Sequence, residues 1–383
     1  MKFGIRTIAV IVIAAAVCST GTYVFLCNSS EKTLTATVTE SGYFGSLTLD
    51  IGIDDLHSIG ADYGHDLNLT YKGIQKTCFF AKDWDGIPAC MIFINHTTVT
   101  DTIDISLYNG DITKELGLKV GDTFTLSVKG INKYYPLIPN YLTGGSANRE
   151  DYSTDVQYGN YRPLTGGGLD SGLIFRSSSP FSDDDDRYKY VDNYYKDNNI
   201  QYIIALDKTE EQIAEFVERH PDTDSSKLFK EGKVHAFLAS PAVTSHPEEI
   251  RKVLDLIMSA PAGDSIGIFC ECGKDRTGQY AAIIQALAGA SYDEIRADFL
   301  LSLCNYYSIK EGSQEYEVIG EMYFDRVMYI FEHPENIDRL TDIDWESAVI
   351  NHYDAEQVLT QFMIDHVGLD QGYIDALKLK LRG

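Results

Sequence analysis

From about residue 34 to residue 132 apolar and polar residues alternate, as in LTATVT, SLTLDI and TFTLSV, with Gly and Asp at the breaks, Gly121-Asp122 among them. A period of two puts every second side chain on one face, the mark of strands with one side buried. Helical spacing shows only near Ile112–Leu116. Residues 34–132 therefore read as a small β-rich domain, a barrel or a sandwich. Residues 133–154 are rich in Pro, Gly, Asn and Tyr and suit a linker.

Beyond residue 155 the pattern changes. IQYIIALD and SIGIF are short apolar runs, expected as buried strands, and stretches of helical period lie between them. Thr209–Arg219 reads as a helix. Ser245 with Glu248 reads as a capping box for a helix over Pro247–Ala260, and Ser291 with Glu294 as another. Thr277–Ala288 is a third helical stretch, closed by Gly289. Strands alternating with helices predict an α/β domain over 155–383, with a central, mostly parallel sheet flanked by helices and a largely helical C-terminal part.

The N-terminus carries a different pattern. Lys2 and Arg6 are the only charged residues before Glu31, and the run Ile8–Cys27 between Arg6 and Glu31 is apolar. That is about the length of a bilayer-spanning helix, and the basic flank predicts an N-terminus on the cytoplasmic side. Residues 1–30 are thus expected as a signal anchor, placing the rest in the cell membrane as a single-pass, extracytoplasmic protein. Cleavage of the same segment as a signal peptide would make it secreted.

Charge narrows the partners. The chain has a formal net charge of −25, with 44% hydrophobic and 23% charged residues, a globular composition. The first thirty residues hold two basic and no acidic side chains, so the remainder carries −27. A surface so acidic excludes a nucleic-acid partner, which needs a basic footprint. The seven cysteines form no disulfide framework. Cys78 and Cys90 are left as either a disulfide or two buried thiols. No H-x-H, H-E-x-x-H, G-x-S-x-G or Walker A sequence occurs, and no metal or cofactor is expected.

The chemistry concentrates in Ile268-Phe269-Cys270-Glu271-Cys272-Gly273-Lys274-Asp275-Arg276-Thr277-Gly278, between an expected strand and an expected helix. A Cys at a helix N-terminus meets free backbone N–H groups and the positive end of the helix dipole, which favour a thiolate and a tetrahedral oxyanion. Arg276, six residues on, can return across the loop and grip a phosphate bidentately. Gly273 and Gly278 allow the tight path, and Thr277 offers a hydroxyl near the sulfur.

These residues match C-x5-R-[ST] in the G-K-D-R-T-G form, and the segment resembles the bacterial protein tyrosine phosphatase family. Asn160-Tyr161-Arg162, the GGGLDSGLIFRSS stretch and ASYDEIRADFLLSLCNYY are similar to further segments of that family, over roughly residues 155–325. The resemblance implies Cys270 as nucleophile, Arg276 as phosphoryl-binding cation and Asp275 as general acid, with Thr277 assisting the sulfur. Glu271, Cys272, Gly273 and Lys274 would line the substrate cradle, and Arg162 and Asp207 would position substrate. It also implies a phosphorylated protein or a phosphoinositide as substrate. Separately, DYGHDLNLTY and LGLKVGDTFTLSV are similar to pieces of the C-terminal β domain of SAM hydroxide adenosyltransferases, which brings no chemistry; the partner of the β domain stays open.

Phe269 departs from the pattern, since the family has His before the nucleophile. The expected function is a cysteine-dependent phosphatase acting on phosphotyrosine, with phosphoserine or phosphoinositide within reach. An inositol-phosphate phosphatase and a catalytically impaired phosphate-binding pseudophosphatase are the alternatives.

Overall fold

The computed structural model describes residues 32–383 except 43–44, 83, 85, 138–144 and 349–351. The alternating N-terminal segments form a closed barrel in the order β1 (Thr33–Ser41), β2 (Leu47–Leu49), β6 (Thr102–Leu107), β5 (Ile92–Thr97), β4 (Ile74–Lys82), β3 (His65–Tyr71), β7 (Thr123–Ile131). Period two sets the interior: Leu67, Leu69 and Tyr71 of β3 and Phe124 and Leu126 of β7 are buried, and Thr123 and Thr125 beside them are exposed. Strands β4 and β5 are parallel and the other pairs antiparallel. That pair is buried on both faces, because Phe79, Ala81 and Phe93 form a second cluster outside the barrel with Ile87.

The second half holds a sheet in the order β11 (Val234–Ala236), β10 (Ile200–Ala205), β12 (Ser265–Phe269), β9 (Ile174–Ser177), β8 (Arg162–Pro163). Strands β9 to β12 are parallel, and the short edge strand β8 runs antiparallel. The helices that frame the site are α1 (Arg187–Asp197), α2 (Glu210–Arg219), α3 (Pro247–Ser259), α4 (Asp275–Leu287) and α5 (Tyr292–Tyr307). Thr209 with Gln212 and Ser291 with Glu294 make capping boxes for α2 and α5. The box expected from Ser245 and Glu248 does not form: Ser245 ends a 3-10 turn, His246 takes the cap position, and Glu248 bonds to His246 instead.

The barrel docks on the α/β part through buried polar contacts. Ala89 N–H donates to the Met322 carbonyl, Arg326 reaches the Ala89 carbonyl and the Tyr134 hydroxyl, and Glu115 accepts from Leu340 and Thr341. A single cluster of buried side chains runs from Leu69 and Ile94 inside the barrel to Ile283 and Leu359 in the helical layer. The expected linker, 133–154, is partly described, and Tyr134 within it is buried against Arg326.

The expected fold class and localisation need correction. The N-terminal part is a closed barrel, and among the described residues no helix is long and apolar enough to cross a membrane. The run Ile8–Cys27, which carried the single-pass expectation, lies outside the described residues. Helices α2, α3 and α5 each carry charged residues on an exposed face, as suits packing on a sheet. Single-pass anchoring is therefore not supported. Cys78 and Cys90 are separate buried thiols, both pushed up by burial.

Candidate active site

Strand β12 ends at Phe269, α4 begins at Asp275, and Cys270–Lys274 form the loop between them. No side chain caps the start of α4 at Lys274, and a helix N-terminus favours an anion. Gly273 has φ +65°, and a Cβ there would lie 2.3 Å from the Ser177 carbonyl oxygen, so only glycine fits. A Cβ on Gly278 would meet the Phe299 ring at 2.8 Å, which lets α4 and α5 approach closely.

Cys270 is buried. Burial, and then the Asp207 carboxylate, raise its thiol pKa, while Arg276 and the Thr277 hydroxyl pull it down. Thr277 is fully buried, and its hydroxyl acts on the sulfur by lowering the Cys270 pKa. Asp207 follows β10, and its Oδ2 accepts the Glu271 N–H at 2.6 Å. Its Oδ1 is buried without a hydrogen-bond partner among the described residues. Burial pushes the Asp207 carboxyl up to about 6, with the Glu271 carboxylate adding to this and Lys208 and Arg276 opposing it. A buried carboxylate beside the nucleophile is the main charge acting against the thiolate.

The Glu271 side chain turns to Lys208, with which it forms an ion pair. With Glu271 turned to Lys208, Asp207 is the leading carboxylate opposing the thiolate. The Glu271 N–H is bound to Asp207, and the Gly273 N–H to the Cys270 carbonyl at 3.1 Å. Those two amides are therefore committed within the protein. Burial drives the Cys272 thiol up to about 12, so it is the weaker of the two as a nucleophile. Lys274 bonds Asp275 Oδ2 at 2.7 Å and lies 5.4 Å from the Tyr306 ring centre and 5.5 Å from that of Tyr307. Asp275 Oδ1 accepts from the hydroxyl of Tyr108, a barrel residue, at 3.3 Å.

Beneath the loop lies a network that the sequence names only in part. Arg176 in β9 is fully buried; it donates to the Gly273 carbonyl at 2.9 Å and pairs with Asp298 of α5. Burial draws its pKa down to about 10, which leaves it charged at neutral pH. Burial works against charge on Asp298 too, but Arg162 and Arg176 hold it below the ordinary carboxylate value. Arg162 turns its guanidinium onto Asp298 at 2.7 Å, Ser302 at 2.9 Å and Asn160 at 3.0 Å. Asn160 in turn donates to the Cys272 carbonyl at 3.0 Å. Arg162 thus reaches the loop through Asn160 and Asp298.

Arg176, Asp298, Lys208 and Tyr108 had no role in the sequence reading. An Arg within an apolar strand is a usable signal, because a buried charge demands a partner. Nothing near Tyr108 in the sequence points to the loop. Phe269 is fully buried in an aromatic group with Phe181, 5.8 Å between ring centres, and Phe216. A hydrocarbon seat replaces the usual imidazole there.

Among the described residues the one grouping with metal-ligand spacing is His246, Glu248 and Glu249, at the start of α3. Glu249 accepts the Ser240 N–H at 2.8 Å and Glu248 bonds His246, contacts that account for the cluster.

Comparison with curated proteins returns no match. Among solved structures, an uncharacterized conserved protein from Thermotoga maritima is similar at 15% identity and a TM-score of 0.24, over 25% of this chain and 36% of that one, too slight a likeness to carry an argument. The model of the tyrosine phosphatase family matches residues 157–383, the stretch that holds the sheet, the 270–278 loop and the network under it. With a match over more than half its length, the chain belongs to the tyrosine phosphatase family.

Proposed function

We propose that the chain is a cysteine-dependent phosphatase that hydrolyses phosphotyrosine through a cysteinyl-phosphate intermediate. The observation that carries this is the convergence of Cys270, Arg276, Thr277 and Asp275 on one strand-to-helix turn whose backbone is clamped by Arg176. Cys270 Sγ attacks phosphorus and forms the S–P bond as the P–O ester bond breaks. Asp275 gives its proton to the leaving oxygen. Arg276 and the amides at the start of α4 hold the phosphoryl oxygens. Water then attacks phosphorus, its proton passes to the Asp275 carboxylate, and the S–P bond breaks. The thiolate released is received by the Thr277 hydroxyl.

Lys208 and Lys274 flank the loop but are engaged with Glu271 and Asp275, so little free positive charge is left for a second phosphate. This favours a substrate with a single phosphate over an inositol polyphosphate. The test is turnover of an aryl phosphate and of phosphotyrosine peptides by the full chain, with the phosphorylated cysteine trapped by rapid acid quench. Cys270→Ser is expected to lower turnover by at least about a thousandfold. Absence of turnover across acidic and neutral pH, or a Cys270→Ser variant as active as the parent, overturns the reading.

A further inference from the structure

Asp275 has one carboxylate oxygen held from inside its own loop and the other held from the barrel. Lys274 takes Oδ2 at 2.7 Å, and the Tyr108 hydroxyl takes Oδ1 at 3.3 Å. Tyr108 directly follows β6, and it is fixed on several sides. Its N–H donates to the Met91 carbonyl at 3.0 Å, and its own carbonyl accepts from Cys90 at 2.9 Å. The ring stands edge-on to Tyr323, 5.7 Å between centres and at 89°, and packs on Phe93. Burial, and then the Asp275 carboxylate, push its phenol well above the ordinary value, so the hydroxyl stays a donor.

The next residue makes a second grip. Asn109, with φ +61°, donates its side-chain amide to the Pro241 carbonyl at 2.8 Å, and the same carbonyl accepts from Gln279 at 2.9 Å. Gln279 stands one helical turn beyond Asp275, on the same face of α4. The barrel corner Tyr108–Asn109 therefore engages the first two turns of α4, once directly and once through Pro241.

We infer that Tyr108 is a positioning residue for the general acid, so that the barrel completes the catalytic unit. By donating to Oδ1, Tyr108 fixes the rotation of the Asp275 carboxyl group and with it the position of the acid's proton. From there it passes to the leaving oxygen, and the O–H bond of Asp275 breaks as that of the leaving group forms. This inference rests on the reading of Asp275 as the acid.

The experiment uses the full chain and Tyr108→Phe, which keeps the ring packing and removes the hydroxyl. It measures kcat and KM over a series of aryl phosphates, from an acidic nitrophenol leaving group to unactivated phenol. A lost hydrogen bond to an ionisable group predicts a fall in kcat of about tenfold for phenyl phosphate, with little change for the nitrophenyl ester. The inhibition constant for inorganic phosphate and the thermal midpoint are expected to stay as in the parent. In an Asp275→Asn background the same change is expected to add nothing. Equal loss for all leaving groups, or no loss for any, overturns the role of Tyr108. If Asp275→Asn alone shows no dependence on the leaving group, the reading of Asp275 fails first. If Asp275→Asn is steep and Tyr108→Phe is flat, only the role of Tyr108 fails.

Discussion

At the Cys270 end of the loop, the groups that set the charge of the thiol are Asp207, Arg276, Asp275 and Thr277, all from the sheet and from α4. At the Asp275 end, one carboxylate oxygen is held by Lys274 next door and the other by Tyr108, 167 residues earlier in the chain and in another layer of the fold. The proposed nucleophile is thus tuned within the α/β part, and the proposed acid by the docking of two units. An arrangement within one sheet layer survives wherever that layer folds. A docked one holds only as long as the interface does, and on the proposed role of Asp275 this is how the barrel acts on the site.

The comparison is broken most severely from below. Asp298→Ala leaves Arg176 buried and unpaired under Gly273, and removing one partner of a buried ion pair costs about 3–5 kcal/mol. Equilibrium denaturation checks this, and a loss well under 1 kcal/mol would show that the network does not hold the loop. Its pH dependence has a definite sign. Because Asp298 is held below its ordinary pKa, its contribution is fully present above about pH 4 and is lost as pH falls through the depressed folded value.

Phe269→His restores the residue usual in the family but places an imidazole among Phe181 and Phe216. Burying a polar ring without a built partner predicts a loss of about 1–3 kcal/mol. A variant as stable as the parent would mean that this seat tolerates the imidazole, and that the aromatic packing does not explain Phe269.

The smallest effect is at the nucleophile itself. Asp207→Asn removes the leading charge that opposes the thiolate while keeping an oxygen for the Glu271 N–H. The Cys270 pKa is then expected to fall, with alkylation by iodoacetamide about three- to tenfold faster at neutral pH, the equivalent of about half to one pKa unit. Asp207 carries its charge only above about pH 6, so the difference is expected to vanish below that value. An unchanged alkylation rate at neutral pH would remove Asp207 from the account.

Much of the site could be read in one dimension because its parts are adjacent. Cys270, Gly273, Lys274, Asp275, Arg276 and Thr277 stand within eight residues, and the apolar run SIGIF before them is strand β12. The barrel was legible as alternation in β3 and β7 but less so in β4 and β5, where a second apolar cluster outside the barrel buries both faces and hides the period. Arg162 was legible as a residue of interest, though its contacts run to Asp298, Ser302 and Asn160. Asp298 was not legible, since an acidic residue on a helix is usually solvated, and only the buried Arg176 opposite gives it meaning.

The sequence by itself determined the loop that holds the proposed nucleophile and phosphate-binding cation, the alternation that makes strands and the spacing that makes helices. These depend on neighbours a few residues apart, whose geometry is settled by backbone sterics and side-chain period. Only the tertiary structure decided that Asp207 opposes the thiolate, that Arg176 and Asp298 hold the loop from beneath, and that Tyr108 reaches Asp275 from the barrel. Those contacts join segments about 60 to 170 residues apart, and their strength comes from burial, which a linear pattern does not record.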